Sequence, residues 1–115
     1  MSQTNREPQP IEQALADFLE RLRPPERVRP QFDLGGRVAG KTVEVFEIRS
    51  QWDEPKRSHR YPVAKATWVQ SQAVWKIFCQ CSDLKWEGYA PRPTVSTIDE
   101  FFEEVEKDRH GCFFG

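Results

Sequence analysis

Lysines and aromatic residues recur at alternate positions between residues 65 and 89, and this combination could bind nucleic acid. Successive side chains on an extended strand point to opposite faces, so alternate residues share a face. With hairpin turns at Ser71-Gln72 and Ser82-Asp83, one face of the predicted sheet collects Lys65, Lys76, Phe78 and Tyr89. Exposed rings can stack on bases while neighbouring ammonium groups contact phosphates. The pattern therefore predicts a surface suited to single-stranded nucleic acid.

A polar segment from Gln51 to Pro62 is predicted to form a long loop that adds further cations near this surface. Its basic and aromatic members are Trp52, Lys56, Arg57, His59, Arg60 and Tyr61. The alternative is an ordinary solvated sheet face with cross-strand pairs such as Lys65 beside Phe78. The overall charge favours that alternative, because domains that bind nucleic acid are usually far more basic.

Three cysteines and a histidine suggest a second kind of site. Cys79, Cys81, His110 and Cys112 could supply the four ligands of a zinc tetrahedron. The spacing argues against zinc, because paired ligands usually lie two to four residues apart at a turn, whereas Cys79 and Cys81 fall on a predicted strand. Small buried thiols are the commoner arrangement. We therefore expect no metal and no other cofactor.

A catalytic interpretation would have to use a loose set of charged residues with a divalent ion. These residues are Glu44, Glu47, Asp53 and Lys65. No spacing rule singles them out, and charged residues that alternate along a strand usually form its solvated side. The sequence contains no phosphate-binding loop, nucleophile elbow or zinc-protease motif. We assign no catalytic residues from the sequence.

Composition and charge limit the class of protein. The chain has 115 residues and a formal net charge of -1, which does not mark a strong binder of polyanions. No uncharged apolar run approaches the roughly 18 residues that cross a bilayer, and residues 1–10 lack the pattern of a signal peptide. The odd number of cysteines is not typical of a secreted disulfide framework. We expect a cytoplasmic protein without membrane association, with a disordered tail at residues 1–8 and one domain at residues 9–115.

Two helices are predicted at the ends of this domain. An apolar stripe with spacings of three and four marks the first helix, at Ile11, Ala14, Leu15, Phe18, Leu19 and Leu22. It must end near Arg23, because two prolines follow. The second helix has its own stripe at Ile98, Phe101, Phe102 and Val105. Thr97 and Glu100 fit a capping box at its start, and Gly111 is its expected end.

The region between the helices is predicted to form antiparallel strands. The first hairpin pairs Phe32–Val38 with Thr42–Arg49 about a turn at Ala39-Gly40-Lys41. Along the second of these strands the apolar residues do not alternate simply, which predicts a bulge or burial on both faces.

The last two hairpins can be aligned residue by residue. In the first, Trp68 is predicted to face Trp75, with Ala66 opposite Ile77 and Ala64 opposite Cys79. In the second, Cys81 is predicted to face Leu84, and Cys79 to face Trp86. This register places Trp86 on the core face and Tyr89 on the opposite face.

Five segments, in order, resemble one bacterial family. They are Arg23-Pro24-Pro25, the strand Val43–Arg49 followed by Trp52, the run Pro62–Val69, the stretch Asp83–Trp86 and the ending Gly111–Gly115. The chain is similar to the family catalogued as domain of unknown function 3024, over nearly its whole length from the first helix onward. The resemblance implies membership, and it implies no cofactor and no functional residues.

These elements predict an α+β fold with a single antiparallel sheet of about five strands between an N-terminal and a C-terminal helix, in the order α-β-β-β-β-β-α. Two short helices can hardly cover both faces, so we expect one face to meet water. Phe113 and Phe114 are expected to fold back onto the core or enter a partner. The sequence favours a small binding or regulatory module that contacts another protein. Single-stranded nucleic acid is the alternative ligand, and a metal-dependent phosphodiesterase is the least favoured function.

Overall fold

A computed structural model describes residues 11–51, 53–80 and 85–114, apart from the side chains of residues 55 and 56. The elements are α1 (Ile11–Leu22), β1 (Phe32–Ala39), β2 (Thr42–Gln51), β3 (Glu54–Val69), β4 (Val74–Gln80), β5 (Trp86–Gly88), β6 (Thr94–Val95) and α2 (Ile98–Lys107). The α+β class and both terminal helices are confirmed. The predicted tail, the predicted turn at Ser82-Asp83, and the partners Cys81 and Leu84 lie outside the described residues.

The strands form one antiparallel sheet in the order β1-β2-β3-β4-β5, and the short β6 pairs with β4 beside β5. The five main strands agree with the predicted number. The predicted loop from Gln51 to Pro62 is wrong, because β3 already begins at Glu54 and places His59 opposite Arg49. Polar residues can occupy a strand whose faces meet water. Residues 57–62 are exposed, and β3 pairs with β4 only from Ala64 onward.

Both helices pack on one side of the sheet, here called the helix-covered face. Phe18 of α1 stacks on Phe102 of α2 with ring centroids 4.8 Å apart, and both rings are buried. The sheet residues beneath them are small or β-branched and fully buried, namely Val43, Val45, Ala64, Ala66 and Ile77. Small side chains let the helices approach the strands closely. No helix of the described residues packs on the opposite side, which is here called the helix-free face.

β2 contributes to both faces of the sheet. Gly36, which lies opposite Val45, faces α1, since a Cβ built on it would lie 2.7 Å from Leu15 Cδ1. Gly35 faces the other way, and its Cβ would lie 2.7 Å from Cε1 of Phe46. The register of β2 and β3 shifts between Val45 and Phe46. The predicted bulge is therefore confirmed. The two glycines leave room for Leu15 on one face of β1 and for Phe46 on the other.

The register of the two last hairpins agrees with prediction in one case only. Between β3 and β4, the predicted pairs Trp68 with Trp75, Ala66 with Ile77 and Ala64 with Cys79 are all present. Between β4 and β5, Cys79 lies opposite Glu87 and Gln80 lies opposite Trp86, so the predicted pairing of Cys79 with Trp86 is wrong. A slip of one residue moves every side chain of a strand to the other face.

α2 begins with the predicted capping box and ends earlier than predicted. The hydroxyl of Thr97 accepts a hydrogen bond from the Glu100 N–H, and the Glu100 carboxylate accepts one from the Thr97 N–H. The helix ends before Gly111, because Asp108 adopts the left-handed conformation with φ 41° and donates its N–H to the Glu104 carbonyl. No helix in the described part of the chain is long and apolar enough to span a membrane.

The chain folds back after α2, as predicted. The carboxylate of Asp108 accepts hydrogen bonds from the N–H groups of Phe113 and Phe114, at 3.0 and 2.8 Å. These bonds direct Phe113 against the ring of Tyr89, with centroids 4.8 Å apart, and bury it. The C-terminal residues thus complete the helix-covered core.

Candidate binding surface

The helix-free face carries a cluster of two lysines and two aromatic rings. Lys65 lies opposite Phe78 in the β3–β4 ladder, and its Nζ lies 5.0 Å from the Phe78 ring centroid and 4.6 Å from that of Trp86. The Nζ of Lys76 lies 5.7 Å from the Phe78 centroid. Such contacts are each worth about 0.5–1 kcal/mol at exposed sites. We call Lys65, Lys76, Phe78 and Trp86 the platform.

The rings of the platform are half-buried, so each keeps part of its surface in water. The side chain of Lys76 is exposed, and that of Lys65 is half-buried. A cation held over a ring face is ordered before any ligand arrives. The platform is therefore a prearranged surface that presents apolar area and positive charge together.

The structure places Trp86, rather than the predicted Tyr89, on the helix-free face beside Lys65. The Tyr89 N–H donates to the Ile77 carbonyl, which puts Tyr89 on the helix-covered face, where it is only 1% exposed. Burial raises the pKa of its phenol. The predicted placement of Tyr89 on the helix-free face is wrong, because β5 pairs with β4 one residue out of the predicted register. That register was the signal needed to find Trp86, and composition alone does not supply it.

A second aromatic and cationic pair lies on the same face. The guanidinium carbon of Arg60 lies 4.8 Å from the ring centroid of Phe46. Arg60 was predicted as a cation of a loop, and it instead lies in β3 opposite Ile48. Phe46 was not among the predicted binding residues, and its ring is only 6% exposed beneath the guanidinium.

The other predicted binding residues do not join the platform. Arg57 forms an ion pair with Glu54 at 3.1 Å, and both side chains are well exposed. The placement of Trp52 and of the Lys56 side chain lies outside the described residues. Tyr61 lies opposite Glu47 rather than on the platform, and it is 47% exposed.

The helices and the strands differ in net charge, and Arg92 of a connecting segment pairs with Glu100 and Glu104 of α2. The two helices carry the acidic residues Glu12, Asp17, Glu20, Asp99, Glu100, Glu103, Glu104 and Glu106, against the basic residues Arg21 and Lys107. The strands carry the basic residues Arg37, Arg49, Lys56, Arg57, Arg60, Lys65 and Lys76, against the acidic residues Asp33, Glu44, Glu47, Glu54 and Glu87. The near-zero net charge therefore conceals an acidic helix layer and a mildly basic sheet.

The residues considered for catalysis do not converge. Glu44 forms an ion pair with Arg37 at 3.6 Å, and Glu47 forms one with Arg49 at 3.1 Å. The two carboxylates lie three residues apart on one strand, which directs them to opposite faces. Asp53 accepts a hydrogen bond from the side-chain amide of Gln51.

The thiols considered for zinc lie at the edge of the helix-covered core. Cys79 and Cys112 are free and partly buried, whereas Cys81 lies outside the described residues. Burial raises the pKa of the Cys79 thiol, and so does the nearby Cys112. Among the residues that the structure describes, no three His, Cys, Asp or Glu side chains are placed to hold a metal ion.

The fold and this surface define an α+β domain in which, among the described residues, both helices cover the same face of the sheet. The chain belongs to the family described as domain of unknown function (DUF3024), whose model matches residues 4–115. The family predicted from the sequence motifs is thereby confirmed. No curated protein matches the chain, and no solved structure matches it.

Proposed function

We propose that the protein is a small binding module that holds single-stranded nucleic acid on the helix-free face of its sheet. The observation that carries this proposal is the platform, where the Nζ atoms of Lys65 and Lys76 lie 4.6–5.7 Å from the rings of Phe78 and Trp86. Rings supply stacking surfaces for bases, and ammonium groups supply partners for phosphates.

The platform could perform both tasks with small movements. A base that stacks on an aromatic side chain contributes about 1–3 kcal/mol by alanine substitution. The lysine ammonium groups leave the ring faces and pair with phosphates on either side of the stacked base. The ammonium groups start 4.6–5.7 Å from the ring centroids, so short side-chain movements bring them to the phosphates that flank a stacked base.

The separation of charge supports nucleic acid over the protein partner that the net charge favoured. An acidic helix layer repels a polyanion, while a basic sheet attracts it, so encounters are oriented toward the platform. This orientation does not require a high net charge.

The test is a titration that follows tryptophan fluorescence, with unlabelled oligouridine and oligothymidine of about ten nucleotides, within the site sizes of such surfaces. We expect saturable binding that weakens between about 50 and 200 mM salt, because phosphate contacts release counterions. The double variant Lys65→Ala/Phe78→Ala should lose binding. Lys107→Ala, which removes one charge from the helix layer, is the matched control and should bind like the wild type. Absence of binding even at low salt would refute the proposal.

A protein partner is the second candidate, and the exposure of Tyr61 favours it. Tyr61 lies beside His59, with ring centroids 6.4 Å apart, on the part of β3 that extends past β4. Tyrosine and arginine are enriched where proteins bind one another. If this candidate is right, binding to the captured partner will depend weakly on salt and will be lost in Tyr61→Ala rather than in Lys65→Ala.

We also propose a cytoplasmic location. The odd number of cysteines supports it, because secreted domains of this size usually pair their thiols. Fractionation of cells with an antibody to the protein would check it, and recovery outside the cytoplasm would contradict it.

A further inference from the structure

The Arg60–Phe46 pair has the geometry of a second contact point for the same kind of ligand. Phe46 is only 6% exposed, and the Arg60 guanidinium lies over its ring at 4.8 Å while the residue itself remains exposed. The ring therefore holds the guanidinium plane in place from below. Guanidinium planes can stack on bases, and their N–H groups bind phosphate oxygens in a fixed fork.

The pair and the platform lie at a distance that one strand of nucleic acid can span. Phe46 lies opposite Pro62 on β3, whereas Phe78 lies opposite Lys65 on the other side of β3. Two strand spacings of about 4.8 Å and two residues along β2, at about 3.3 Å each, place the Cα atoms of Phe46 and Phe78 roughly 12 Å apart. At about 3.4 Å per stacked nucleotide, this separation corresponds to three to five nucleotides.

The residue between the two positions does not block this path. Glu44 lies opposite Lys65 and two residues before Phe46, and its carboxylate is ion-paired with Arg37 at 3.6 Å. The local charge along the path, counting Arg37, Glu44, Arg60, Lys65 and Lys76, is therefore positive.

We infer that a single strand of nucleic acid bound on the platform continues to the Arg60–Phe46 pair. The helix-free face then contacts about four nucleotides, and Arg60 contacts the nucleotide farthest from the platform. This inference rests on the proposed function and specifies its footprint. It predicts that Arg60 contributes only when the oligonucleotide is long enough to reach it.

The chain contains a matched control for Arg60. The guanidinium of Arg49 lies 4.9 Å from the ring centroid of Phe32, which is the same chemistry at nearly the same distance. Arg49 and Phe32 lie opposite one another in the β1–β2 ladder. Arg49 lies an even number of residues after Val43 and Val45 on β2, so Arg49 and Phe32 project from the helix-covered face of the sheet.

The experiment is a length series of oligouridines, from about two to about ten nucleotides, titrated into the wild type, Arg60→Ala, Arg60→Lys and Arg49→Ala. Thermal midpoints of all variants confirm that each is folded. We expect Arg60→Ala to weaken binding of the long oligonucleotides about tenfold and to leave the shortest unchanged, since one stacked or charged contact is lost. Arg60→Lys should show an intermediate loss, because it keeps the charge without the plane. Arg49→Ala should bind like the wild type at every length.

The outcomes separate this inference from the proposed function. If Arg60→Ala binds every length like the wild type while Lys65→Ala/Phe78→Ala does not bind, the footprint is wrong and the platform stands. If Arg60→Ala and Arg49→Ala weaken binding equally, the effect is one of net charge and the second contact is refuted. If the wild type binds no oligonucleotide, both proposals fail.

Discussion

In the core beneath the helices aromatic rings contact one another, whereas on the platform they contact cations. Phe18 stacks on Phe102 at 4.8 Å, in the buried core. Phe78 instead has Lys65 and Lys76 near its ring, and it remains half-exposed. The same side-chain type thus stabilises the fold on one face and stays available on the other. The difference teaches that the neighbours of a ring, rather than its presence in a strand, indicate its role.

The largest expected effect distinguishes the two faces directly. Phe102→Ala should lower the free energy of unfolding by about 3–5 kcal/mol, because it removes a buried ring and leaves a cavity. Phe78→Ala should lower it by about 1 kcal/mol or less, because the ring is partly in water and its contacts to lysine are weak. Urea denaturation of both variants measures the contrast. Equal losses would contradict the assignment of the two faces.

The second prediction concerns the C-terminal residues that complete the helix-covered core. Deletion of residues 112–115 removes Phe113 from Tyr89 and should lower the thermal midpoint by about 10 °C, which corresponds to about 2 kcal/mol for a domain of this size. Phe113→Leu keeps an apolar side chain there and should recover part of the loss. An unchanged midpoint after the deletion would show that the fold-back does not stabilise the domain.

The third prediction uses two glycines in the sheet. Gly36→Ala should destabilise by about 1–3 kcal/mol, because its Cβ would lie 2.9 Å from the backbone carbonyl oxygen of Glu44, as well as against Leu15. Gly88 lies opposite Phe78 and has open space around the site of a Cβ, so Gly88→Ala serves as the control. Comparable urea midpoints for the two variants would contradict the close approach of α1 to β1.

The smallest expected effect is a pH dependence at the edge of the sheet. Hydrogen bonds from Arg23 at 2.9 and 2.6 Å hold the pKa of Asp33 below its ordinary value, and they outweigh the opposing effect of burial. A lowered folded-state pKa stabilises the fold above the unfolded pKa of about 3.9, and this stabilisation is lost as the pH falls through the folded value. The contribution is about 1 kcal/mol at most, since the Arg23 side chain is partly exposed.

The variant Asp33→Asn tests this assignment. It should be less stable than the wild type at pH 7, and the difference should shrink as the pH falls below the unfolded pKa of about 3.9 and vanish below the lowered folded pKa. Urea titrations of both proteins at pH 7 and at a series of lower pH values make the comparison. A difference that does not change with pH would show that Asp33 acts through packing rather than through its charge.

Local patterns in the sequence predicted the helices and one hairpin well. The stripes of α1 and α2 follow from side-chain spacing alone, and the pair Trp68 with Trp75 follows from alternation about one turn. Side chains also alternate along β5, but the sequence does not show which residue of β5 lies opposite which residue of β4. Without this register, Trp86 and Tyr89 were predicted on the wrong faces of the sheet.

Two other features could be recognised only from the folded structure. The polar stretch before Pro62 resembles a loop by composition, and it forms a strand because β2 supplies partners for Glu54 and for Ser58–Pro62. The charge separation was hidden in a net charge of -1, since α1 and α2 are distant in sequence and adjacent in space. Arg60 was selected as a cation, but its position over Phe46 depends on that unexpected strand.

The most direct test of the central claim maps the bound ligand onto the two faces. In amide NMR spectra of labelled protein titrated with oligouridine, we expect the largest shift changes at Lys65, Lys76 and Phe78 and at the indole N–H of Trp86, with little change in α1 and α2. Changes of this kind confined to the helix-free face would support the platform as the binding surface. Changes concentrated on the helices, or none at saturating oligonucleotide, would contradict it.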